Sequence, residues 1–146
     1  MITAIDTNIL LDILRPNEQF YESSTQALQE GATSGALVVC ETVYAELCVH
    51  FETQRECDAF LHSAEIRVEP PNRAACFRAG QSWRKYRQQG GHRSRILADF
   101  LIGAHAELQA NRLISRDRGF YRQLFPGLSL LDPSRGPESP SSKRSR

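Results

Sequence analysis

The 146-residue chain, 40% hydrophobic, has the size of one domain able to bury a substantial core, and no run reaches transmembrane length, so a membrane role is not expected. The N-terminus has no basic region before its apolar run. Cys40, Cys48, Cys57 and Cys76 lack CxxC spacing and suit reduced, buried thiols better than disulfides or zinc, so a cytoplasmic location is expected. The net charge of +1 hides an asymmetry: residues 1–69 hold twelve acids and three bases, residues 70–122 eleven bases and three acids. The second half reads either as a face for polyanions or as ordinary solvated helix surface.

In chain order, Ile2 to Ile5 is a short apolar run closed by Asp6, as a buried strand with an acid at its carboxyl end would be. Thr7 to Leu14 reads as a helix stopped before Pro16, and a polar amphipathic helix follows from Glu18 to about Thr33. After Gly35, Ala36 to Cys40 is the second strand. From Glu41 the apolar residues Val43, Leu47 and Phe51 recur every four positions, the stripe of a helix, and another helix is predicted over about Thr53 to Ala64. Ile66 to Glu69 is a third strand. Ala75, Ala79, Trp83 and Tyr86 mark a long helix ending at Gly90 and Gly91. Ser94 is a fitting N-cap for a helix running to about Gln109. Arg112 to Ser115, a short helix over Gly119 to Leu124, and a strand over Leu128 to Leu131 complete the pattern. Strands alternating with helices imply an α/β domain with a mainly parallel sheet over residues 1–131. Residues 132–146, with three prolines and five serines, read as a disordered basic tail.

Four acids stand out on this map. Asp6 ends the first strand and Asp117 lies just past the fourth, and in open α/β sheets ligands bind beyond the carboxyl ends of the strands. Asp99 interrupts a helix apolar on nearly every face, where a lone buried carboxylate needs a partner or a cation; Arg95, one turn earlier, is one candidate. Glu46 sits on the flank of the Val43–Leu47 stripe. Taken singly, Asp6 and Asp117 are equally good helix N-caps and Glu46 an ordinary solvated helix residue. Clustered, the four would repel one another unless divalent cations neutralised them, and an all-oxygen site favours Mg²⁺ or Mn²⁺. Such ions bind a scissile phosphate and activate a water for in-line attack. Asn8 and Ser115 are placed to hold metal-bound waters, or are plain turn and strand polarity.

The segments Asp6 to Asp12 (DTNILLD), Glu41 to Leu47 (ETVYAEL), Ala98 to Ala106 (ADFLIGAHA) and Leu113 to Phe120 (LISRDRGF), in this order and spacing, resemble a VapC-type PIN domain across about residues 1–131. The resemblance implies a three-layer α/β/α fold with a mainly parallel central sheet flanked by helices. It also implies Mg²⁺- or Mn²⁺-dependent endonucleolytic cleavage of RNA as the toxin of a toxin–antitoxin pair, inhibition by a cognate VapB-like antitoxin covering the cleft, and a homodimer. Asp6, Glu46, Asp99 and Asp117 match that family's acidic quartet as catalytic and metal-holding residues, with Asn8 and Ser115 at its usual polar positions. Asp12 falls outside the quartet and reads as a surface or capping acid, and Glu41 as favourable charge at a helix N-terminus. Phe100 is bulkier than the residue the family usually has there.

Between Glu69 and Asp99 there are seven bases and no acids, interleaved with Trp83, Tyr86 and His92. Basic groups neutralise phosphates and aromatic faces stack on unpaired bases, so Arg87, Arg93 and Arg95 are the predicted RNA contacts. Trp83 and Tyr86 lie on the apolar stripe and are better placed for a core or a dimer interface. Two rival readings are a PIN-like scaffold that binds RNA or protein without catalysis, and a HAD-like phosphatase with Asp6 as nucleophile. The second wants Asp-x-Asp, where this chain has Asn8.

Overall fold

A computed structural model describes residues 1–91 and 95–135. Five strands form one sheet in the order β3-β2-β1-β4-β5: β1 is Ile2–Ile5, β2 Ala36–Val39, β3 Ile66–Val68, β4 Arg112–Ile114 and β5 Leu130–Leu131. Every pairing is parallel, so the sheet is wholly rather than mainly parallel; its register sets Ala4 beside Val38 on one side and Leu113 on the other. Parallel strands covered on both faces need continuous apolar sequence, and Ala4, Ile5, Leu37, Val38, Val39, Leu113 and Ile114 are all buried.

The helices are α1 (Thr7–Leu14), α2 (Tyr21–Ser34), α3 (Glu41–Cys48), α4 (Gln54–Ser63), α5 (Arg73–Gln88), α6 (Leu97–Gln109) and α7 (Arg118–Leu124). Side-chain caps fix several starts. Thr53 accepts from the Glu56 N–H at 3.2 Å and Asn72 from the Ala75 N–H at 2.8 Å. The second helix begins three residues later than the sequence suggests, because Asn17 accepts from the Phe20 N–H at 2.7 Å and holds a turn there. Right-handed crossovers put the connections of β1 to β3 on one face and those from β3 onward on the other, the α/β/α layering.

The chain leaves β1 toward β2 and β3, then crosses back to lay β4 and β5 on β1's other side. The strand order therefore reverses between β1 and β4, and the crevice at their carboxyl ends is where such sheets bind ligands. Phe100, buried at the start of α6, is accommodated by rings around it: Tyr86 at 5.5 Å, Phe120 at 5.2 Å and Phe125 at 6.4 Å between centroids. Trp83 and Tyr86 pack against this core from α5. All four cysteines are free; Cys40 and Cys57 are buried and Cys48 half-buried, but Cys76 is exposed, contrary to the expectation of a buried thiol. Pro133–Arg135 form a 3-10 turn against α2, so ordered structure continues past residue 131; the rest of the expected tail, residues 136–146, lies outside the described residues. Among the described residues no helix is long and apolar enough to cross a membrane.

Candidate active site

Asp6 is where the sheet's switch point meets its first helix. Its N–H donates to the Ile114 carbonyl of β4 at 3.0 Å, which pins the residue to the β1–β4 crevice. The carboxylate is only 7% exposed. One oxygen accepts from the Thr7 N–H at 2.8 Å at the start of α1; the other accepts from Ser115 Oγ at 2.7 Å and from the buried Tyr121 hydroxyl at 3.2 Å. Burial raises its pKa from 3.8 to about 6, and Asp117 adds to the rise, against the pull of these three hydrogen bonds. Asp6 thus does both things the sequence left open: it caps a helix and it anchors a polar cluster.

Ser115 links the two strand-end acids, since its hydroxyl also accepts the Asp117 N–H at 3.0 Å. Asp117 begins α7 without a side-chain cap bond, so the capping alternative does not describe it. Its carboxylate instead takes both arms of the Arg95 guanidinium, at 2.5 and 3.1 Å, while Arg95 lies 4.4 Å over the Phe120 ring. Asp99 is not the buried lone carboxylate its apolar surroundings suggested. The helix opens at Leu97 with Ile96 at its N-cap, which places Asp99 in the first turn, half-buried, accepting the Ile96 N–H at 3.1 Å. Arg95 therefore pairs with Asp117 and not with Asp99. The charges of Asp99 and Asp117 still act together: both help hold Arg95 protonated, behind the Asp117 hydrogen bond, and both add to the burial that pushes the Tyr121 hydroxyl up. Glu46 is exposed on α3 and accepts from Thr7 Oγ1 at 2.6 Å, which ties it to the residue beside Asp6.

Hydrogen bonds thus link three of the acids, Asp6 to Asp117 through Ser115 and Glu46 to Asp6 through Thr7, whereas Asp99 bonds only within the start of its own helix. Among the described residues no three His, Cys, Asp or Glu side chains stand close enough, as they lie, to hold a metal ion. The donor chemistry nevertheless suits a hard divalent cation: these acidic side chains offer only oxygens, burial leaves the Asp6 carboxylate short of compensating charge, and Asn8 Oδ1 is buried with no hydrogen-bond partner among the described residues.

The predicted RNA contacts fare differently. Arg87 is exposed and lies 5.3 Å over the Trp83 ring, Arg93 and the proposed cap Ser94 lie outside the described residues, and Arg95 is spent on Asp117. Tyr121 and Thr7 touch the acids, yet Tyr121 carried no signal beyond adjacency to a motif and Thr7, inside the first motif, had no role assigned to it. Asp12 corrects the sequence reading outright. It is buried, gripped by Arg116 at 2.9 and 3.0 Å and by Ser24 Oγ at 2.7 Å, with Arg116 stacked 3.9 Å from the Phe20 ring centre. Since Arg116 sits between Ser115 and Asp117, this pair fixes the loop that carries both.

Comparison with known proteins agrees with this architecture. No curated protein matches the chain in sequence. Among solved structures, VapBC2 from Rickettsia felis, bound to a DNA fragment from its promoter, matches with a TM-score of 0.70 at 22% identity, covering 90% of this chain and 98% of that one. VapBC-1 from nontypeable Haemophilus influenzae matches with a TM-score of 0.70 at 23% identity, over 92% and 100%. FitAcB from Neisseria gonorrhoeae follows with a TM-score of 0.66 at 18% identity, over 92% and 99%. At these identities the likeness is one of fold. The PIN domain family model matches residues 3–124, most of the chain, and the protein belongs to the PIN domain family.

Proposed function

We propose that the protein is a cytoplasmic, Mg²⁺- or Mn²⁺-dependent endoribonuclease of the VapC type, the toxin of a toxin–antitoxin pair restrained by a cognate VapB-like antitoxin, and active as a homodimer. Family membership and the VapBC and FitAcB names of its structural neighbours support the assignment. The observation that carries it is Asp6: a carboxylate buried at the switch point, raised to about 6, with Asp117 beside it and no cation on its own hydrogen bonds among the described residues.

In this reading Asp6, Glu46, Asp99 and Asp117 would hold the divalent ion, with Asn8 and Ser115 as the polar groups that would support it. When bound, the ion supplies Lewis acidity toward a phosphodiester and an acidified water as nucleophile. The chain's own residues do the rest. Ser115 and Tyr121 donate to one Asp6 oxygen and so fix its rotamer, leaving the carboxylate poised as an anion above pH 6. Thr7 holds Glu46 toward the same edge. The Asp12–Arg116 clamp keeps the Ser115–Asp117 loop from drifting. Arg87 and Arg93, which flank Gly90 and Gly91 in the sequence, are the bases read as contacts for RNA phosphates. A non-catalytic PIN scaffold draws its one support from Arg95, which satisfies Asp117 without any metal.

The test is incubation of total RNA with the purified protein in Mg²⁺, Mn²⁺ or EDTA, wild type beside Asp6→Ala. Discrete fragments that require both metal and Asp6 are expected. Cleavage that survives EDTA or Asp6→Ala refutes the mechanism, and metal-free RNA binding without cleavage favours the scaffold.

A further inference from the structure

Along the outer face of α5, Arg78, Gln81, Arg84, Lys85 and Gln88 line an open groove of about 390 Å³. At about 1.5 Å per residue the stripe from Arg78 to Gln88 runs about 15 Å, the length of about four stacked nucleotides at about 3.4 Å each. Arg78 is its fixed wall: Glu107 accepts from it at 2.8 Å and the Leu124 carbonyl at 3.3 Å, and its guanidinium lies 4.8 Å over the Phe125 ring. Arg84 and Lys85 are exposed and have no acidic partner among the described residues. On the same side of the helix Phe77 stands 68% exposed; Phe77, Gln81, Arg84 and Gln88 follow the alternating three- and four-residue spacing of one helix face. Gly80 lies among them, exposed, where an added Cβ would meet nothing within 4 Å. Packing therefore gives no reason for a residue that weakens a helix, whereas bare backbone admits a close neighbour. The packing of α5 on α6 orients the stripe: Arg78 pairs with Glu107 near the end of α6, while Tyr86 meets Phe100, the residue after Asp99, at 5.5 Å. Its Lys85–Gln88 end lies toward the acids, and Phe77 lies farthest from them.

We propose that this face is an exosite for RNA: Arg84 and Lys85 bind phosphates of an unpaired strand, Phe77 stacks on one of its bases, and Gly80 lets the strand lie against the helix. Single-stranded nucleic acid is held by a cationic groove together with aromatic platforms, because its charges repeat along the backbone and every base has a π-face. The Gln81 and Gln88 amides both donate and accept, as contacts to ribose hydroxyls and base edges require. An acidic peptide answers the two cations, but only a nucleic acid presents a flat ring with every charge. The proposal rests on the ribonuclease reading above and says where the substrate is held outside the cleft. Phe77, Arg84 and Lys85 are apart from the acids, so this face sets affinity and not the chemical step.

Fluorescence anisotropy of a labelled, unstructured oligoribonucleotide on the full-length protein in EDTA, at about 50 and about 200 mM salt, reads binding without cleavage. Wild type should bind. Arg84→Gln with Lys85→Gln should weaken binding on the order of tenfold at the lower salt and flatten the slope of log affinity on log salt by about 1.4, two phosphates at about 0.7 each. Phe77→Ala should weaken it about tenfold at both salts, since stacking is not ionic. Gly80→Glu should bind as weakly as the double variant while melting no lower than wild type, because glutamate favours a helix over glycine, so lost binding is separated from lost folding. In Mg²⁺ the double variant should raise KM for RNA cleavage and leave kcat unchanged. Equal affinity and salt slope in wild type and the double variant overturns the exosite and leaves the ribonuclease reading standing, as does cleavage in Mg²⁺ without binding in EDTA. Polyglutamate bound by wild type as tightly as RNA assigns the face to an acidic protein, and a dimer that falls to monomers in Phe77→Ala assigns it to a second copy; either overturns the proposal. RNA neither bound nor cleaved overturns the ribonuclease reading and this proposal together.

Discussion

Replacing Asp6 with asparagine should make the metal-free protein more stable at neutral pH, although it destroys the proposed site. The lift in pKa from 3.8 to about 6 means that ionised Asp6 costs the folded state about 3 kcal/mol, at about 1.4 kcal/mol for each tenfold in proton affinity. The sign follows from proton uptake. A carboxyl whose folded pKa is raised gains from protonation in the fold, so its stability is complete below pH 3.8 and is lost as pH rises through about 6. Asparagine has the same shape and does not ionise. The Ser115 and Tyr121 hydroxyls can turn to accept from its amide, and its carbonyl can still accept the Thr7 N–H, so the gain should reach about 2 kcal/mol after imperfect hydrogen bonding. Urea denaturation in EDTA at pH 8 and at pH 4 reads it directly. Asp6→Asn should exceed wild type at pH 8, the gap should close by pH 4, and saturating Mn²⁺ at pH 8 should stabilise wild type alone. A variant less stable than wild type at pH 8, or a gap independent of pH, would show that Asp6 is an ordinary satisfied cap.

Three further outcomes are expected. Arg116→Ala leaves Asp12 buried with Ser24 as its remaining polar partner and should cost about 3 kcal/mol by urea denaturation; adding Asp12→Leu should recover much of it, and no recovery would mean that the pair is not the cause. Gly103→Ala puts a methyl group 2.4 Å from the Phe125 ring, so the melting midpoint should fall with a loss of about 2 kcal/mol; an unchanged midpoint would show that the aromatic core can yield. Asp99→Asn should reduce RNA cleavage to background with an unchanged circular dichroism melt, whereas loss of the fold would make Asp99 structural.

The strands were legible because each is a short, wholly buried apolar run, and Asp6 and Asp117 were legible because both fall at strand ends that the α/β pattern makes functional. What stayed hidden depends on partners far away in sequence. Asp12 looked like a surface acid because Arg116, the residue that makes its burial affordable, is 104 positions on. Asp99 looked buried because Ile96 and Leu97 are apolar; both are in fact exposed, at 58% and 38%, and the helix opens later than their hydrophobicity implies. Arg95 was assigned to RNA or to Asp99 because spacing along a helix was the available guide, whereas the fork on Asp117 crosses from the start of α6 to the start of α7. Periodicity reports which face of an element is apolar; it does not report the bridges between elements that Asp12 and Arg95 make, nor the point at which the helix carrying Asp99 begins.

The central place of β1 has a consequence for how the molecule is made. Thr3 pairs with Arg112, and Asp6 bonds to Ser115 and Tyr121, so β1 completes its sheet contacts only when β4 emerges from the ribosome more than a hundred residues later. Contacts of such high order close slowly. A nascent chain carrying Asp6 and Glu46 but not yet β4 has no crevice and no fixed carboxylate. If the protein is the toxin proposed above, it stays harmless to the machinery translating it until β4 and the loop after it have been made, and its partner then has the interval of that slow closure in which to arrive.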